Sequence, residues 1–199
     1  MHSGYPQFVF GFHGCDRTVG EAVIAGETEL NHSENDYDWL GNGIYFWENN
    51  PTRALLFAQA LKAPRGRKQI SEPFVIGAII DLGHCLDLLQ SHNLEIVKGA
   101  HENYRLIRDK AGLPLPENLA PGAASEVLVR KLDCAVIQFL HTYNQEVEAP
   151  EFDSVRGVFW EGPELYPTAG FREHNHIQIC IRNSDCIKGY FHPRAGLRP

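Results

Sequence analysis

The sequence predicts a single domain of the α+β class, and three observations lead to that prediction. Segments rich in aromatic and β-branched residues, typical of strands, collect at both ends of the chain, whereas helical periodicity dominates its middle. The length of 199 residues fits one domain, since a domain usually takes about 100–200 residues. Hydrophobic residues make up 43% and charged residues 22%, a balance that excludes disordered, collagen-like and coiled-coil chains.

The first part of the chain is predicted to consist of three strands separated by two helices and a polar loop. Pro51 favours the start of a helix, because its missing N–H would be unpaired there in any case, and Pro64 ends that helix. The predicted elements are a strand at 8–15, a helix at 18–25, a loop at 31–43, a strand at 44–47, the Pro51 helix and a strand at 74–82.

The second part is predicted to hold a pair of helices followed by three strands. Apolar residues recur with helical spacing over 89–112 and again over 125–143, with a loop rich in Pro, Gly and Ala between them. The predicted strands lie at 153–160, 176–182 and 187–191. The two helices form a helical insertion at about 84–150 between the two groups of strands.

The charge balance limits the classes of partner. Eighteen basic against 25 acidic residues give a net charge of −7, which argues against a surface devoted to nucleic acid. A basic loop at 62–68 is either a solvated charge run or a cradle for phosphate. No apolar run approaches the roughly 18 residues of a membrane span, and the first residues do not resemble a secretory signal, so we expect a cytoplasmic protein with no membrane partner.

The five cysteines form no CxxC pair, which argues against a disulfide framework and a zinc knuckle. We expect buried, reduced thiols. His174 and His176 form an H-x-H pair, but no further residue completes a recognisable metal spacing. No metal is therefore expected.

Three segments stand out by their motifs. They are FHGC at 12–15, WLGNGIYFWENNPTRALLFA at 39–58 and QICIRNSDCIKGYF at 178–191. In this order they resemble the ADP-ribosyltransferase superfamily, on its poly(ADP-ribose)-polymerase-like and diphtheria-toxin-like side. Between Tyr45 and Gln178 lie 178 − 45 = 133 positions, more than is usual in that family, and the helical insertion would supply the excess.

The resemblance implies a split β-sandwich that binds NAD, breaks its bond between nicotinamide and ribose, and transfers a single ADP-ribose unit to a macromolecule. The acceptor is a nucleic acid or a protein. Free-standing relatives of this size are often toxins of defence or toxin–antitoxin systems, which adds an antitoxin as an expected partner. Two alternatives remain open: an NAD glycohydrolase with water as acceptor, and a non-catalytic module that binds NAD or ADP-ribose.

The resemblance also implies a set of NAD-binding residues. His13 would bond the adenine-side ribose, the Gly14 backbone would clamp the nicotinamide carboxamide, and Tyr45 would stack on the nicotinamide ring. Gly43 belongs to the same GNGIYF motif, and Phe57 would form a second wall. Taken alone, His13 is a satisfied polar group at a strand end, Tyr45 a core strand residue, and Phe57 a helix core residue.

Position 178 departs from the family pattern. Many members carry Glu there, whereas Gln178 can accept a bond from a ribose hydroxyl but supplies no charge and takes no proton. Glu173 could supply the missing carboxylate, or it could be a solvated loop charge. His176 lies two residues before Gln178 and therefore points to the same face of a strand, where it could pair with the Gln178 amide or act as a base for the acceptor. The preceding segment 161–175 would hold the loop that recognises the target, with Tyr166 and Phe171 as contacting aromatics.

Overall fold

The computed structural model describes residues 8–62, 70–119 and 129–194, which form one sheet with helices on both faces. The strands are β1 (Phe8–Asp16), β2 (Ile44–Glu48), β3 (Pro73–Asp81), β4 (Cys85–Asp87), β5 (Ser154–Phe159), β6 (His176–Ile181) and β7 (Ile187–Phe191). The helices are α1 (Arg17–Ile24), α2 (Pro51–Lys62), α3 (Ser91–Lys110) and α4 (Lys131–Glu146), and a 3-10 turn lies at Ser184–Cys186.

The seven strands pair in the order β4-β5-β6-β2-β1-β3-β7. Every pair is antiparallel except the short β4–β5 pair, which is parallel. A mostly antiparallel sheet with four helices in the described ranges is compatible with the α+β prediction. The order also brings the three strands that carry the sequence motifs, β1, β2 and β6, side by side at the centre of the sheet.

The two faces of the sheet carry different helices. One face, here called the α1 face, packs α1 over a core of residues that include Phe46, Ile76 and Ile179, all fully buried. The opposite face, here called the α2 face, packs α2 beside Trp47 and packs α3 and α4 over a second core around Val155. Because successive side chains of a strand point to opposite faces, the residue number along β2 or β6 decides which environment a side chain meets.

The helix that was predicted at 125–143 begins later, at Lys131, and ends at Glu146. Asn118 explains the start, because its side-chain Oδ1 accepts hydrogen bonds from the N–H groups of Leu132 (3.0 Å) and Asp133 (3.2 Å). A side chain from a preceding loop thus caps the first turn, which no residue beside the helix could reveal. Residues 125–128 lie outside the described part of the chain.

The remaining differences are small. β4 was not predicted, since three residues are too short to display a periodicity, and the predicted helix 89–112 spans Ser91–Lys110. The prediction for the cysteines is confirmed, because all five are free thiols and only Cys85 is not fully buried. None of the helices in the described ranges is long and apolar enough to cross a bilayer.

His141 on α4 is an unusual member of the core. Its side chain is buried, and neither ring nitrogen has a hydrogen-bond partner among the described residues. Burial, with a smaller contribution from the charge of Arg182, lowers the pKa of His141 to about 3. The folded protein therefore holds this ring neutral, whereas the unfolded chain takes up a proton at the ordinary pKa of about 6.5.

We predict that His141 makes the fold sensitive to acid. Above about pH 6.5 the His141 ring is neutral in both states and does not lower the free energy of unfolding. As the pH falls from there toward 3 the free energy of unfolding declines, because only the unfolded chain binds the proton in that range. His141→Leu removes this loss and also removes two buried, unpaired nitrogens, so we expect a gain of about 1–3 kcal/mol in the free energy of unfolding.

Urea unfolding at about pH 7 and about pH 5 measures this effect. The same change at His92, an exposed position of α3, is the control and should leave the pH dependence as it is. An equal loss of stability on acidification in wild type and His141→Leu would show that other groups cause the acid sensitivity.

Candidate functional site

The candidate site begins where β1 and β2 separate. β1 pairs with β3 over its whole length, but with β2 only at Gly11↔Glu48 and Phe12↔Trp47. Arg17, directly after β1, donates its N–H to the Glu72 carbonyl, directly before β3 (2.9 Å). In an antiparallel pair every second residue points its N–H and C=O toward the partner strand, so the odd-numbered residues of β1 point theirs toward β3. Even-numbered residues point toward β2, and Phe10 accordingly accepts from Asn49 N–H (2.9 Å). Gly14 therefore turns its N–H and C=O toward β2, beyond the end of the ladder.

The ring of His13 bridges β1 and β2 just beyond the end of their ladder. His13 Nδ1–H donates to the carbonyl oxygen of Tyr45 at 2.8 Å. If the β1–β2 register continued, the same carbonyl would face the N–H of Gly14. A side-chain bond thus holds the strands together where the backbone ladder has ended, and the Gly14 donor and acceptor stay outside that ladder. We call this feature the His13 seam.

Two glycines of the motifs are required by packing. A Cβ on Gly14 would collide with the Ala54 carbonyl of α2, and a Cβ on Gly43 would collide with Cys180 Sγ and the Ile181 carbonyl of β6. The close approach that makes Gly14 necessary is therefore the approach of α2. The predicted clamp on a carboxamide concerns the backbone edge of the same residue and stays a prediction.

Tyr45 is fixed by its hydroxyl. The O–H donates to the Gly41 carbonyl (2.7 Å) and accepts from Leu40 N–H (3.0 Å), so the ring holds the turn that precedes β2. The ring packs in the core of the α2 face, and burial raises the pKa of Tyr45 well above its ordinary value. Stacking on nicotinamide stays a prediction, whereas the role of the hydroxyl in the turn was missed.

Gln178 and His176 lie together on the α2 face, as predicted. Gln178 is opposite Trp47 of β2, and its amide Nε2–H donates to His176 Nε2 at 3.0 Å. His176 Nδ1–H in turn donates to the His174 carbonyl at 2.6 Å. This chain of bonds fixes the amide orientation of Gln178 and leaves its Oε1 as an acceptor with no partner among the described residues.

The surroundings of His176 oppose protonation. The ring is buried, stacks on Phe159 with 5.1 Å between ring centroids, and has both nitrogens in hydrogen bonds. Burial lowers the pKa of His176 to about 4, and the charge of Arg53 contributes to the shift. These contacts favour a positioning role for His176 over the predicted role as a base.

Aromatic side chains continue the site toward α2. The ring of Phe57 lies 4.9 Å from that of Trp47, and Phe57 is 37% exposed, so it is not a core residue of the helix. Trp47 is buried, and its Nε1–H has no hydrogen-bond partner in the described part of the chain. The sequence analysis missed Trp47, although its position two residues after Tyr45 places both on one face.

A buried ion pair closes the other side of the site. Arg53 Nη2 of α2 lies 3.1 Å from Oε2 of Glu161, a residue that follows β5. Only 10% of the Arg53 side chain and 12% of the Glu161 side chain are exposed. His174 N–H donates to the Glu161 carbonyl (3.1 Å), which ties Glu161 to the His176–Gln178 chain of bonds. No local sequence pattern signals this pair, because its members are 108 positions apart. Glu173, the carboxylate that was predicted for the site, is exposed and forms no side-chain hydrogen bond with a described residue.

The structure does not bring every predicted residue to one place. His13 approaches the seam from the α1 face, beside Phe46, whereas Tyr45 and Gln178 lie on the α2 face. Lys62 is exposed at the end of α2, and the rest of the basic loop lies outside the described residues. Tyr166 and Phe171 are 57% and 61% exposed in the segment before β6.

Two further observations concern metal-binding groups and cavities. The described ranges contain no group of three or more His, Cys, Asp or Glu residues that could hold a metal ion. A cleft of about 320 Å³ lies between the loop before β2 and α4, lined among others by Asn42 and Gln138. Asn42 precedes Gly43, but none of the predicted site residues themselves lines that cleft, so the cleft is separate from the Gln178 region.

The chain matches no protein-family model, no curated protein and no solved structure. A functional conclusion therefore depends on the geometry of the residues above.

We predict that Tyr45→Phe destabilises the protein. The substitution leaves the Leu40 N–H and the Gly41 carbonyl without their partner, and a buried unpaired group costs about 1–3 kcal/mol. Chemical denaturation measures the loss. Tyr143→Phe, at an exposed position of α4, is the matched control, and equal stability of the two variants would contradict the structural role of the Tyr45 hydroxyl.

Proposed function

We propose that this protein cleaves NAD and transfers a single ADP-ribose unit to a macromolecule, with a fold related to the split β-sandwich of ADP-ribosyltransferases. The observation that carries the proposal is the His13 seam. At the His-Gly motif the central ladder opens, and the Gly14 N–H and C=O face the gap beside Tyr45. Gln178 lies on the next strand of the same sheet.

The seam has the chemistry that a nicotinamide carboxamide requires. A carboxamide offers one C=O acceptor and one NH₂ donor, and the Gly14 backbone offers the complementary pair. Tyr45 and Phe57 provide aromatic surfaces on the α2 face, and Phe57 is the more accessible of the two. The His13 ring lies at the same seam on the α1 face, and the resemblance assigns to it the bond with the adenine-side ribose.

Gln178 fits the position that contacts the nicotinamide-side ribose. His176 occupies the amide NH₂ of Gln178, so Oε1 is turned to accept a bond from a ribose hydroxyl. That bond holds the ribose as it distorts toward the transition state. A neutral amide cannot act as a base toward a further sugar hydroxyl, which favours transfer of one unit over chain elongation.

The reaction needs no further reagent. The bond between C1′ of the ribose and the pyridinium nitrogen breaks, and its electron pair neutralises the nitrogen, so that nicotinamide leaves uncharged. The acceptor nucleophile forms a bond to C1′ and releases its proton to water. The residues described above bind and orient the two sugars while positive charge develops on the ribose.

The exposed aromatic residues between β5 and β6 favour a protein acceptor. Trp160, Tyr166 and Phe171 are more than half exposed on the segment before β6, and the chain as a whole is acidic. Exposed aromatic rings are enriched where proteins bind proteins. An intracellular toxin that an antitoxin restrains is the setting that the sequence resemblance suggests for such an activity.

Incubation with NAD labelled in its ADP-ribose part, with and without cell lysate, tests the proposal. Free nicotinamide together with labelled macromolecule is the expected result, and digestion by protease or nuclease identifies the acceptor class. Nicotinamide with only free ADP-ribose would indicate a glycohydrolase. Binding of NAD without cleavage would indicate a non-catalytic module, and neither binding nor cleavage would refute the proposal.

We predict that Gln178→Ala lowers turnover far more than NAD affinity, because its bond matters most as the ribose distorts. By analogy with the removal of one positioned hydrogen-bonding group, the loss of kcat should be about 10²–10³-fold. Steady-state kinetics of nicotinamide release give kcat and KM separately. Wild-type kcat in Gln178→Ala would remove this residue from the site.

A further inference from the structure

The cleft beside α4 lies apart from the residues assigned above to NAD. The loop at 34–42 forms one of its walls, and the first two turns of α4 form the other. Its volume of about 320 Å³ is at the lower end of the range of small-ligand pockets. The cleft therefore has the size to take one small molecule or a single side chain of a larger one.

Two contacts hold the walls of the cleft in place. Lys131 Nζ of α4 lies 2.6 Å from Asp36 Oδ2 of the loop. Close by, the Cys134 thiol of α4 donates to the Asn35 carbonyl of the loop at 3.6 Å. Both contacts join the loop to the helix, so the cleft is already formed and a ligand does not have to order it.

Three donors of the lining residues are already in use. Lys131 is engaged by Asp36, and the Cys134 thiol is engaged by a backbone carbonyl. The side-chain Nδ2–H of Asn35 donates to Ser33 Oγ at 2.8 Å. Lys131 carries the single positive charge of the lining, and its pairing with Asp36 leaves no unpaired positive charge in the described lining for an anion.

The acceptors of the lining are less fully used. The Glu34 carboxylate is exposed and has no hydrogen bond or ion pair with a described residue. The side-chain amides of Asn42 and Gln138 are half-buried and have no partner in the described part of the chain either. With the carboxylates of Glu34 and Asp36 and the ammonium of Lys131, the lining carries a net charge of 1 − 2 = −1. This arrangement favours a cation that donates several hydrogen bonds.

A guanidinium group fits the cleft better than an ammonium group. It carries five N–H donors in one plane and no acceptor, so it can donate to oxygens on both walls at once. An ammonium is a compact charge with three donors and is more strongly hydrated. Pro116 and Ala135 add apolar surface for the methylene groups that carry a guanidinium.

We propose that this cleft binds the guanidinium group of an arginine. The Glu34 carboxylate is its ion-pair partner, and the side-chain oxygens of Asn42 and Gln138 are further acceptors. The arginine is either the free amino acid or a side chain of a partner protein, since both present the same group. The inference does not depend on the proposed NAD cleavage.

An NMR titration of the full chain without NAD tests the proposal, because the side-chain amide signals of Asn42 and Gln138 report on the cleft directly. Nα-acetyl-arginine amide, which represents an arginine within a protein, should shift both signals with a Kd on the order of 1 mM. The citrulline analogue has the same shape without the charge and should bind about fivefold more weakly or worse. The lysine analogue should bind about threefold more weakly.

Free arginine distinguishes the two sources. Equal Kd values for free arginine and its blocked amide indicate a site for a protein side chain, because the free α-groups then contribute nothing. Binding of free arginine alone indicates a site for the amino acid. Both results support a guanidinium site.

Substitution of Glu34 provides the second readout. Glu34→Gln keeps the shape of the side chain and removes its charge, so the Kd for the blocked arginine should rise about threefold and depend less on salt. Glu27→Gln removes the same charge at an exposed position that does not line the cleft, and it should leave the Kd unchanged. Matching amide spectra of the unbound proteins show that both variants keep the fold.

Three results overturn the inference. The first is the absence of shifts at Asn42 and Gln138 with about 10 mM of either arginine compound, well above the expected Kd. The second is equal affinity for the arginine and citrulline compounds, which would mean that the charge is not recognised. The third is a wild-type Kd in Glu34→Gln.

Discussion

The hydrogen bond from His13 Nδ1–H to the Tyr45 carbonyl organises the centre of this protein. A central strand normally pairs on both sides, because unpaired backbone groups are costly inside a fold. β1 does so toward β3 along its full length, yet leaves β2 after two residue pairs. The His13 imidazole lowers the cost of that separation, because it donates to the Tyr45 carbonyl, which has no partner in the β1–β2 ladder. The proposed contacts of the Gly14 backbone follow from the seam that results.

α2 connects the seam to the rest of the site. Its Ala54 carbonyl packs on Gly14, and its Arg53 reaches the segment before β6 through Glu161. Two buried donors, Trp47 Nε1–H and Arg53 Nε–H, have no partner among the described residues, and each such group costs about 1–3 kcal/mol. Unpaired donors of this kind are tolerated more often where a ligand can bind them than in an ordinary core. The position of α2 therefore determines both the packing against Gly14 and the buried ion pair between Arg53 and Glu161.

The sequence predicted the elements of the sheet well, because each depends on local signals. Residues 8–15 and 176–182 are apolar and β-branched, and Pro51 marks the start of α2. The predicted start of α4 was wrong, because Asn118 caps the helix from a distant loop. The pairing of Gln178 with His176 was predictable from strand alternation alone. In contrast, Arg53 and Glu161 meet only through the tertiary fold, and no local pattern announces their contact.

The same reasoning explains why the motifs predicted neither the hydrogen bonds of the Tyr45 hydroxyl nor the ion pair of Glu161. A motif states which side chains are present, whereas the function of a polar group depends on which partners the fold has already given it. The Tyr45 hydroxyl, for example, is occupied by the turn at Leu40 and Gly41. His176 is likewise occupied at both nitrogens, which turns a candidate base into the group that orients Gln178. The groups of this site that the fold leaves without a partner among the described residues therefore include the Gly14 backbone edge and Gln178 Oε1.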